Sequence, residues 1–143
     1  MGDGPLKEEF ENYADEKKVD CQFTGRLEYE KMVGLLCSCD IAVNPIKKGS
    51  AGSIINKVGD YAAAGLPVVN TQDCEEYKVL LRKNKAGINC NNGDIKELAK
   101  EIEKVYKDKI LRKEYGINNR KIAEKYFDRK SNYIKIIKLI EGE

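Results

Sequence analysis

The stretch Ser53–Val69, with the sequence SIINKVGDYAAAGLPVV, decides the fold class that the sequence predicts. Its first part predicts a helix over Ile54–Ala64, and Gly65 stands where a helix commonly ends in the left-handed conformation. Pro67–Thr71 follows at once as a short apolar run, which is typical of a strand buried on both faces of a sheet. A helix that leads directly into such a strand predicts a parallel sheet.

The same alternation of helix and strand extends on both sides of this stretch. Further strands are predicted at Cys21–Gly25, Asp40–Pro45 and Gly87–Cys90, which gives four strands with Pro67–Thr71. Apolar spacing predicts helices that begin at Pro5 and continue at Leu27–Cys37, Glu75–Lys83, Ile95–Tyr106 with Asp94 as N-cap, Lys109–Phe127 with a break near Gly116, and Ser131–Ile140. The sequence therefore predicts one α/β domain over residues 1–143, with a core of residues 1–107 and terminal helices in residues 108–143.

The composition limits the classes of function. The 143 residues include 26 basic and 24 acidic side chains, a net charge of +2, so bulk charge gives no reason to expect a nucleic-acid partner. Histidine is absent, which excludes histidine-based triads and HExxH zinc sites within this chain. No signal peptide is visible, and no uncharged stretch, Gly49–Asn56 included, is long enough to span a bilayer. We therefore expect a cytoplasmic protein whose five cysteines stay reduced, with no metal at the lone Cys37-x-Cys39 pair.

The loop Lys47–Ser53 is the richest candidate for a ligand site. Ligands of open parallel sheets bind beyond the carboxyl ends of the strands, and this loop follows such an end. Its glycine and serine residues let backbone N–H groups approach an anion, and the next helix directs its N-terminus to the same place. These features are compatible with a phosphate site, but a flexible polar loop has the same composition and is favoured on composition alone. The loop matches neither the Walker A pattern nor GxGxxG.

Lys57 and Asp60 lie three residues apart on the helix after this loop and so share a face. The residues by themselves favour a surface ion pair between them. The alternative is that Asp60 accepts hydrogen bonds from a ribose diol, because a carboxylate offers two acceptor oxygens to two neighbouring hydroxyls. Arg26 follows the predicted strand end at Gly25, and there a solvated turn residue is favoured over contact with a phosphate or a base.

Four motifs stand in a fixed order along the chain. The stretch of residues 53–69 carries an acidic residue on a helix, ends in small residues and continues through Gly-x-Pro-Val into a strand. The three motifs before it are Gly2-Asp3-Gly4-Pro5, Phe23-Thr24-Gly25-Arg26 and Asp40-Ile41-Ala42-Val43-Asn44-Pro45. Each motif is weak by itself, but the ordered set, from Gly2 to about Phe127, resembles the group 1 (family 4) GT-B glycosyltransferases.

The resemblance implies a Rossmann-like domain that binds a nucleotide-sugar donor, in an enzyme that transfers the sugar to an acceptor with retention of configuration. Such enzymes work without a metal or other cofactor, and the chain is most similar to the branch that builds bacterial surface polysaccharides. It resembles the C-terminal half of the family without the earliest part of that half. We therefore expect the acceptor-binding N-terminal domain to be missing and the chain by itself to be inactive.

The family's site residues transfer to this sequence position by position. Asp60 takes the place of the second glutamate of the family's ExxxxxxxE pair, which contacts the ribose hydroxyls. Gly52 stands where the first glutamate would contact the donor sugar, so one acidic member is lost. The implied donor contacts are Gly25 and Arg26 at the base, Gly52 at the position of the sugar contact, Ser53 and Lys57 at the diphosphate, and Asp60 at the ribose.

Two other classes of protein fit the predicted fold. A non-catalytic α/β interaction or regulatory module explains the fold but leaves the ordered motifs unexplained. A phosphosugar epimerase of the same GT-B architecture relies on catalytic histidine, which this chain lacks. Loss of leading strands would expose a sheet edge and favour a homodimer. The lysine-rich terminal helices give weak support to a contact with the inner face of a membrane.

Overall fold

The computed structural model describes residues 3–50 and 52–142 of the chain. It contains two compact units, Met1–Leu35 and Leu36–Glu143. The single domain expected from the sequence stays a prediction. Gly2 of the first motif and Ala51 of the candidate loop lie outside the described residues.

The first unit contains helix α1, Lys7–Glu16, and most of helix α2, Tyr29–Cys37. Gly4 lies in the turn that leads into α1, because its carbonyl oxygen accepts a hydrogen bond of 3.0 Å from the Lys7 N–H. The helix therefore begins two residues after Pro5 rather than at it.

The strand predicted at Cys21–Gly25 is wrong. No residue described in the first unit lies in a strand, so this segment has no partner strand within the unit, and its Phe23 side chain is exposed. Gly25 has a φ of +63°, the left-handed conformation that glycine adopts most easily. The predicted turn at Gly25 is thus confirmed, without the strand before it.

The second unit is built on a parallel sheet of three strands in the order β1-β2-β3. Helices lie between the strands in sequence and follow them, so the predicted fold class, a parallel sheet flanked by helices, is confirmed. The elements in chain order are β1 (Ala42–Asn44), α3 (Asn56–Ala63), β2 (Val68–Asn70), α4 (Glu75–Asn84), β3 (Gly87–Asn89), α5 (Ile95–Lys107), α6 (Lys109–Ile122) and α7 (Arg129–Glu141).

The central strand β2 is fully buried, as its continuous apolar run predicts. Val69 of β2 forms a buried cluster with Cys90 and Val105, and the half-buried Ile88 and Ile102 pack against it. This cluster joins the sheet to α5, so α5 buries apolar surface against the sheet.

The C-terminus of α3 is closed by a Schellman motif, as the Gly65 stop signal predicts. The Gly65 N–H donates to Ala62 O at 3.0 Å, and the Leu66 N–H donates to Tyr61 O at 3.0 Å. Gly65 has the required left-handed φ of +69°. The chain therefore turns directly from α3 into β2.

Helix α6 packs its backbone against this turn. A Cβ atom on Gly116 would lie 2.4 Å from the Gly65 carbonyl oxygen, so only glycine fits there. The buried Asn119 donates a hydrogen bond of 2.7 Å to Leu66 O, and Arg120 donates one of 2.5 Å to Ala63 O. Carbonyl groups at the end of α3 are thus satisfied by side chains of α6.

The helix break predicted near Gly116 is wrong. Helix α6 continues through Gly116 to Ile122, and a π-helical turn, Ala123–Phe127, follows it. Gly116 weakens a helix by its backbone freedom, but its contact with Gly65 holds it in helical conformation. By contrast, the predicted N-cap of α5 is confirmed, because Asp94 accepts a hydrogen bond of 2.9 Å from the Glu97 N–H.

Helix α7 begins at a second aspartate cap, where Asp128 accepts from the backbone N–H groups of Lys130 and Ser131. None of its side chains is buried, and Leu139 and Ile140 are almost fully exposed. Across residues 3–50 and 52–142, no helix combines the length and the apolar character needed to cross a membrane.

We expect Gly116→Ala to lower the free energy of unfolding by about 1–3 kcal/mol, because the added Cβ overpacks the contact with Gly65 O. Gly59→Ala is the matched control in α3, since its Cβ would lie 3.9 Å from the Phe127 ring, an ordinary contact, and alanine favours helix. Urea unfolding of the two variants measures the difference. Equal stabilities would show that the Gly65–Gly116 approach is not close.

Candidate functional site

Each strand of the sheet ends in asparagine at its carboxyl end. Asn44 of β1 pairs in register with Asn70 of β2, which pairs with Asn89 of β3. Asn44 and Asn70 have no exposed surface. The parallel register therefore places three amide side chains in a row along the edge where ligands of such sheets bind.

These amides form a hydrogen-bonded ladder. Asn44 Nδ2 donates to Asn70 Oδ1 at 2.9 Å, and Asn70 Nδ2 donates to Asn89 Oδ1 at 3.0 Å. Asn89 Nδ2 donates in turn to Lys78 O of α4 at 3.0 Å. Asn44 Oδ1, by contrast, is buried and accepts from no described residue, a cost of roughly 1–3 kcal/mol. The ladder therefore has to be stabilised by its other contacts.

The direction of the ladder is set by the main chain of Gln72. Its N–H donates to Asn70 Oδ1 at 3.1 Å, and its carbonyl oxygen accepts from Asn70 Nδ2 at 3.2 Å. Asn70 can satisfy both main-chain groups in only one orientation of its amide. The Asn44 amide must then turn its Nδ2 toward Asn70, which leaves its own Oδ1 without a partner.

The buried Gln72 side chain connects this ladder to the candidate loop. Its Oε1 accepts from Asn44 Nδ2 at 3.2 Å, and its Nε2 donates to Ser53 O at 2.6 Å. Because Oε1 faces the Asn44 donor, the amide must present Nε2 to the Ser53 carbonyl. The backbone before α3 is thus attached to the sheet through a side chain.

The loops after the three strands are also joined to one another. Asn92, in the turn after β3, donates to Ile46 O at 2.6 Å and to Thr71 O at 2.7 Å. The Lys48 N–H donates to Asn92 Oδ1 at 3.0 Å, and the Ile46 N–H donates to Thr71 Oγ1 at 3.0 Å. Side-chain bonds therefore order the start of the Lys47–Ser53 loop, which the sequence leaves open as a flexible polar loop.

Asp60 and Lys57 lie on α3 as predicted, with Asp60 half-buried and Lys57 exposed. The surface ion pair that their spacing favours is wrong, because neither side chain is in an ion pair with another described residue. The two side chains therefore do not stabilise α3 as an ion pair. Both are available to a ligand.

Gly52 and Ser53 are exposed and lie in the loop before α3, separated from its first residue by Ile54 and Ile55. A Cβ atom on Gly52 would have no described heavy atom within 4 Å. The missing family glutamate is therefore not explained by lack of space at this position.

Gly25 and Arg26 lie in the first unit. Gly25 is half-buried at the left-handed turn and Arg26 is exposed. The structure brings Gly52, Ser53, Lys57 and Asp60 together on one loop and helix of the second unit, and it describes Gly25 and Arg26 separately.

Buried groups near the sheet edge are not poised for proton transfer or nucleophilic attack. Burial raises the pKa of the Cys90 thiol to about 11, and the carboxylates of Glu97, Glu101 and Asp94 add to the effect. At neutral pH this thiol stays protonated and unreactive. Burial also raises the pKa of Tyr77, whose hydroxyl has no hydrogen-bond partner among the described residues.

The described residues contain no group of three or more potential metal ligands among His, Cys, Asp and Glu. What the site offers instead is backbone N–H groups at the start of α3, one ammonium group and one carboxylate. Groups of these types can hold a phosphate and a pair of hydroxyls.

Sequence reasoning missed the amide ladder and Gln72. The available signal is that each short strand ends in asparagine, as AVN, VVN and GIN. Read one strand at a time, each asparagine looks like a turn residue. Only the register between strands shows that the three side chains meet.

We expect Asn70→Leu to lower the free energy of unfolding by about 1–3 kcal/mol, because the buried main-chain N–H and carbonyl of Gln72 both lose their bonds to the Asn70 amide. Asn89 Oδ1 also loses its bond from Asn70, and Asn44 Nδ2 keeps only its bond to Gln72. Asn91→Ala is the control, since Asn91 is exposed and bonds through its main-chain N–H. Urea unfolding followed by circular dichroism compares them. If both variants unfold at the same urea concentration, the ladder contributes nothing to stability.

Comparisons with known proteins cover most of the chain in sequence and nearly all of it in structure. The family model for glycosyl transferases group 1 matches residues 1–108. No curated protein sequence matches significantly. Among solved structures, sucrose-phosphate synthase from Thermosynechococcus elongatus is similar with a TM-score of 0.82 and 16% identity, over 99% of this chain and 36% of that chain. The chain thus spans little more than a third of that protein, and the likeness confirms the predicted GT-B type of fold. Since the family model covers well over half of its residues, the chain belongs to the group 1 glycosyl transferases.

Proposed function

We propose that this chain binds the nucleotide-sugar donor in an enzyme that transfers a sugar to an acceptor. The observation that carries the proposal is the family match over residues 1–108, together with a lysine and a carboxylate on α3 that form no ion pair with any residue the structure describes. Sugar transfer is common to the family. Binding of the nucleotide-sugar donor is the part of that reaction that the side chains of this chain support.

The diphosphate of the donor is bound where the loop enters α3. The first N–H groups of a helix have no intrahelical acceptor, and the helix dipole adds positive potential there. Ser53 lies just before this end and Lys57 in its first turn. As the sugar leaves, negative charge grows on the diphosphate, and these groups stabilise it.

The ribose of the donor is bound by Asp60. Its carboxylate lies one turn beyond the start of α3 and accepts hydrogen bonds from two neighbouring hydroxyls. The resemblance assigns the base to Gly25 and Arg26, and a guanidinium is a group that can stack on such a ring. Gly52 leaves the donor sugar without the acidic contact of the family, so water or another residue meets that sugar.

The wider setting follows from the resemblance. We propose that the complete enzyme acts in bacterial polysaccharide or glycoconjugate synthesis, retains anomeric configuration and needs no metal. The acceptor is bound by a separate N-terminal domain. This chain by itself then binds donor without transferring sugar.

Asp60→Ala is expected to weaken nucleotide binding by about 1.5–3 kcal/mol, the range for hydrogen bonds to a charged group. The matched control is Glu103→Ala, which removes an exposed carboxylate whose partner is Lys107 on the same helix. Ligand-observed NMR with UDP, GDP, ADP and CMP measures both affinities. Equal binding by the two variants would contradict the assignment of Asp60 to the ribose.

The same nucleotide titration distinguishes a donor-binding domain from a non-catalytic module. Selective binding of one nucleotide by the unmodified chain supports a donor domain and identifies the base. A non-catalytic interaction or regulatory module would bind none of the four. The same titration on a chain extended toward the N-terminus tests whether further residues contribute to the site.

We also propose that the chain forms a homodimer. The terminal strands of the three-stranded sheet, β1 and β3, are edges, and α7 exposes Ile136 and Ile137 to about half of their surface. Light scattering at increasing concentration is expected to give twice the monomer mass of 16.2 kDa. A constant mass of one chain at high concentration would refute it.

A further inference from the structure

Gln72 is a buried polar side chain that the proposed donor contacts do not include. It has no exposed surface and follows β2 by two residues. Its side-chain Nε2 donates a hydrogen bond of 2.6 Å to Ser53 O, in the backbone just before α3. A fully buried amide that reaches across to a loop carbonyl fixes that carbonyl in one direction.

Gln72 is itself held in place by the sheet. Two hydrogen bonds join its main chain to the Asn70 side chain, and a third joins its Oε1 to Asn44 Nδ2. Asn44 and Asn70 belong to paired strands. The position of Nε2 is therefore set by the register of β1 and β2 rather than by the loop.

The geometry of the peptide bond carries this constraint to the next residue. No cis peptide bond is present among the described residues, so the Ser53 C=O and the Ile54 N–H point in opposite directions across one planar group. With the oxygen held against buried Gln72, the N–H is directed away from the sheet interior. No described residue accepts a hydrogen bond from it.

We infer that Gln72 is a positioning residue for the donor diphosphate. It holds the Ser53–Ile54 peptide so that the Ile54 N–H adds to the N–H groups at the start of α3 and bonds a phosphate oxygen. The inference rests on the proposed donor binding and adds to it the residue that orients the loop. Gln72 does not touch the ligand.

A variant elsewhere in the ladder serves as the matched control for a purely structural role of Gln72. Asn89 belongs to the same ladder, but its amide bonds Lys78 O at the opposite end from Ser53. Asn89→Ala therefore weakens the ladder and leaves the Gln72–Ser53 bond in place. Gln72→Met keeps the length of the side chain and removes the bond to Ser53.

The test measures dissociation constants of UDP, GDP and ADP and of the matching monophosphates by NMR titration of the ¹⁵N-labelled chain. Amide hydrogen exchange at Ile54 and thermal unfolding are recorded for the same samples. Ile54→Pro is a second variant, because proline removes the N–H directly and leaves Gln72 intact. It keeps the test decisive if Gln72→Met does not fold.

Gln72→Met and Ile54→Pro are each expected to raise the dissociation constant of the nucleoside diphosphate about tenfold or more. The dissociation constant of the monophosphate should rise less. Asn89→Ala is expected to change both dissociation constants less than about threefold, whatever it does to thermal stability. Gln72→Met and Asn89→Ala both retain the Ile54 N–H, and only Gln72→Met should alter amide hydrogen exchange at Ile54.

Two results overturn the inference. If the unmodified chain binds a diphosphate and Gln72→Met binds it equally well, Gln72 does not position the loop for binding, and the proposed donor role still stands. If neither the unmodified chain nor a chain extended toward the N-terminus binds a nucleotide, the donor role fails and the diphosphate function of Gln72 fails with it. If amide hydrogen exchange at Ile54 still changed in Gln72→Met, only the anchoring of the Ser53–Ile54 peptide by Gln72 would stand.

Discussion

The close approach of Gly65 and Gly116 is the constraint on which the second unit depends. It brings the backbone of α6 against the turn between α3 and β2, at a distance that excludes any side chain on Gly116. Asn119 and Arg120 can then reach the carbonyl groups of Leu66 and Ala63. One contact between glycines thus fixes the end of a helix, the entry to the central strand and the packing of a terminal helix.

The opposite end of β2 is fixed by polar groups rather than by close packing. Asn70 joins both neighbouring strands through its amide and takes its orientation from the main chain of Gln72. Hydrogen bonds in a buried network are stronger than in water, but each unpaired group is costly. The orphaned Asn44 Oδ1 is such a cost, and the ladder retains its direction despite it.

Local sequence signals predicted those elements whose cause is local. Gly65 ends α3 and Asp94 caps α5, because a left-handed glycine and an N-cap carboxylate act within one helical turn. The expectations that failed depend on distant partners. Cys21–Gly25 has the composition of a strand but no strand to pair with in its unit, and Gly116 stays helical because a residue far along the chain packs against it. Of the candidate site, the loop and α3 were predicted, whereas the amide ladder needs the strand register.

Helix α3 is therefore anchored near both ends, and a different part of the second unit anchors each end. Its C-terminus is bound by side chains of α6, and the backbone before its N-terminus is bound by Gln72. Lys57 and Asp60 lie on this anchored helix, and neither is in an ion pair with a described residue. The proposed binding of a diphosphate and a diol would use such an arrangement, because an anchored helix leaves little ordering to oppose binding.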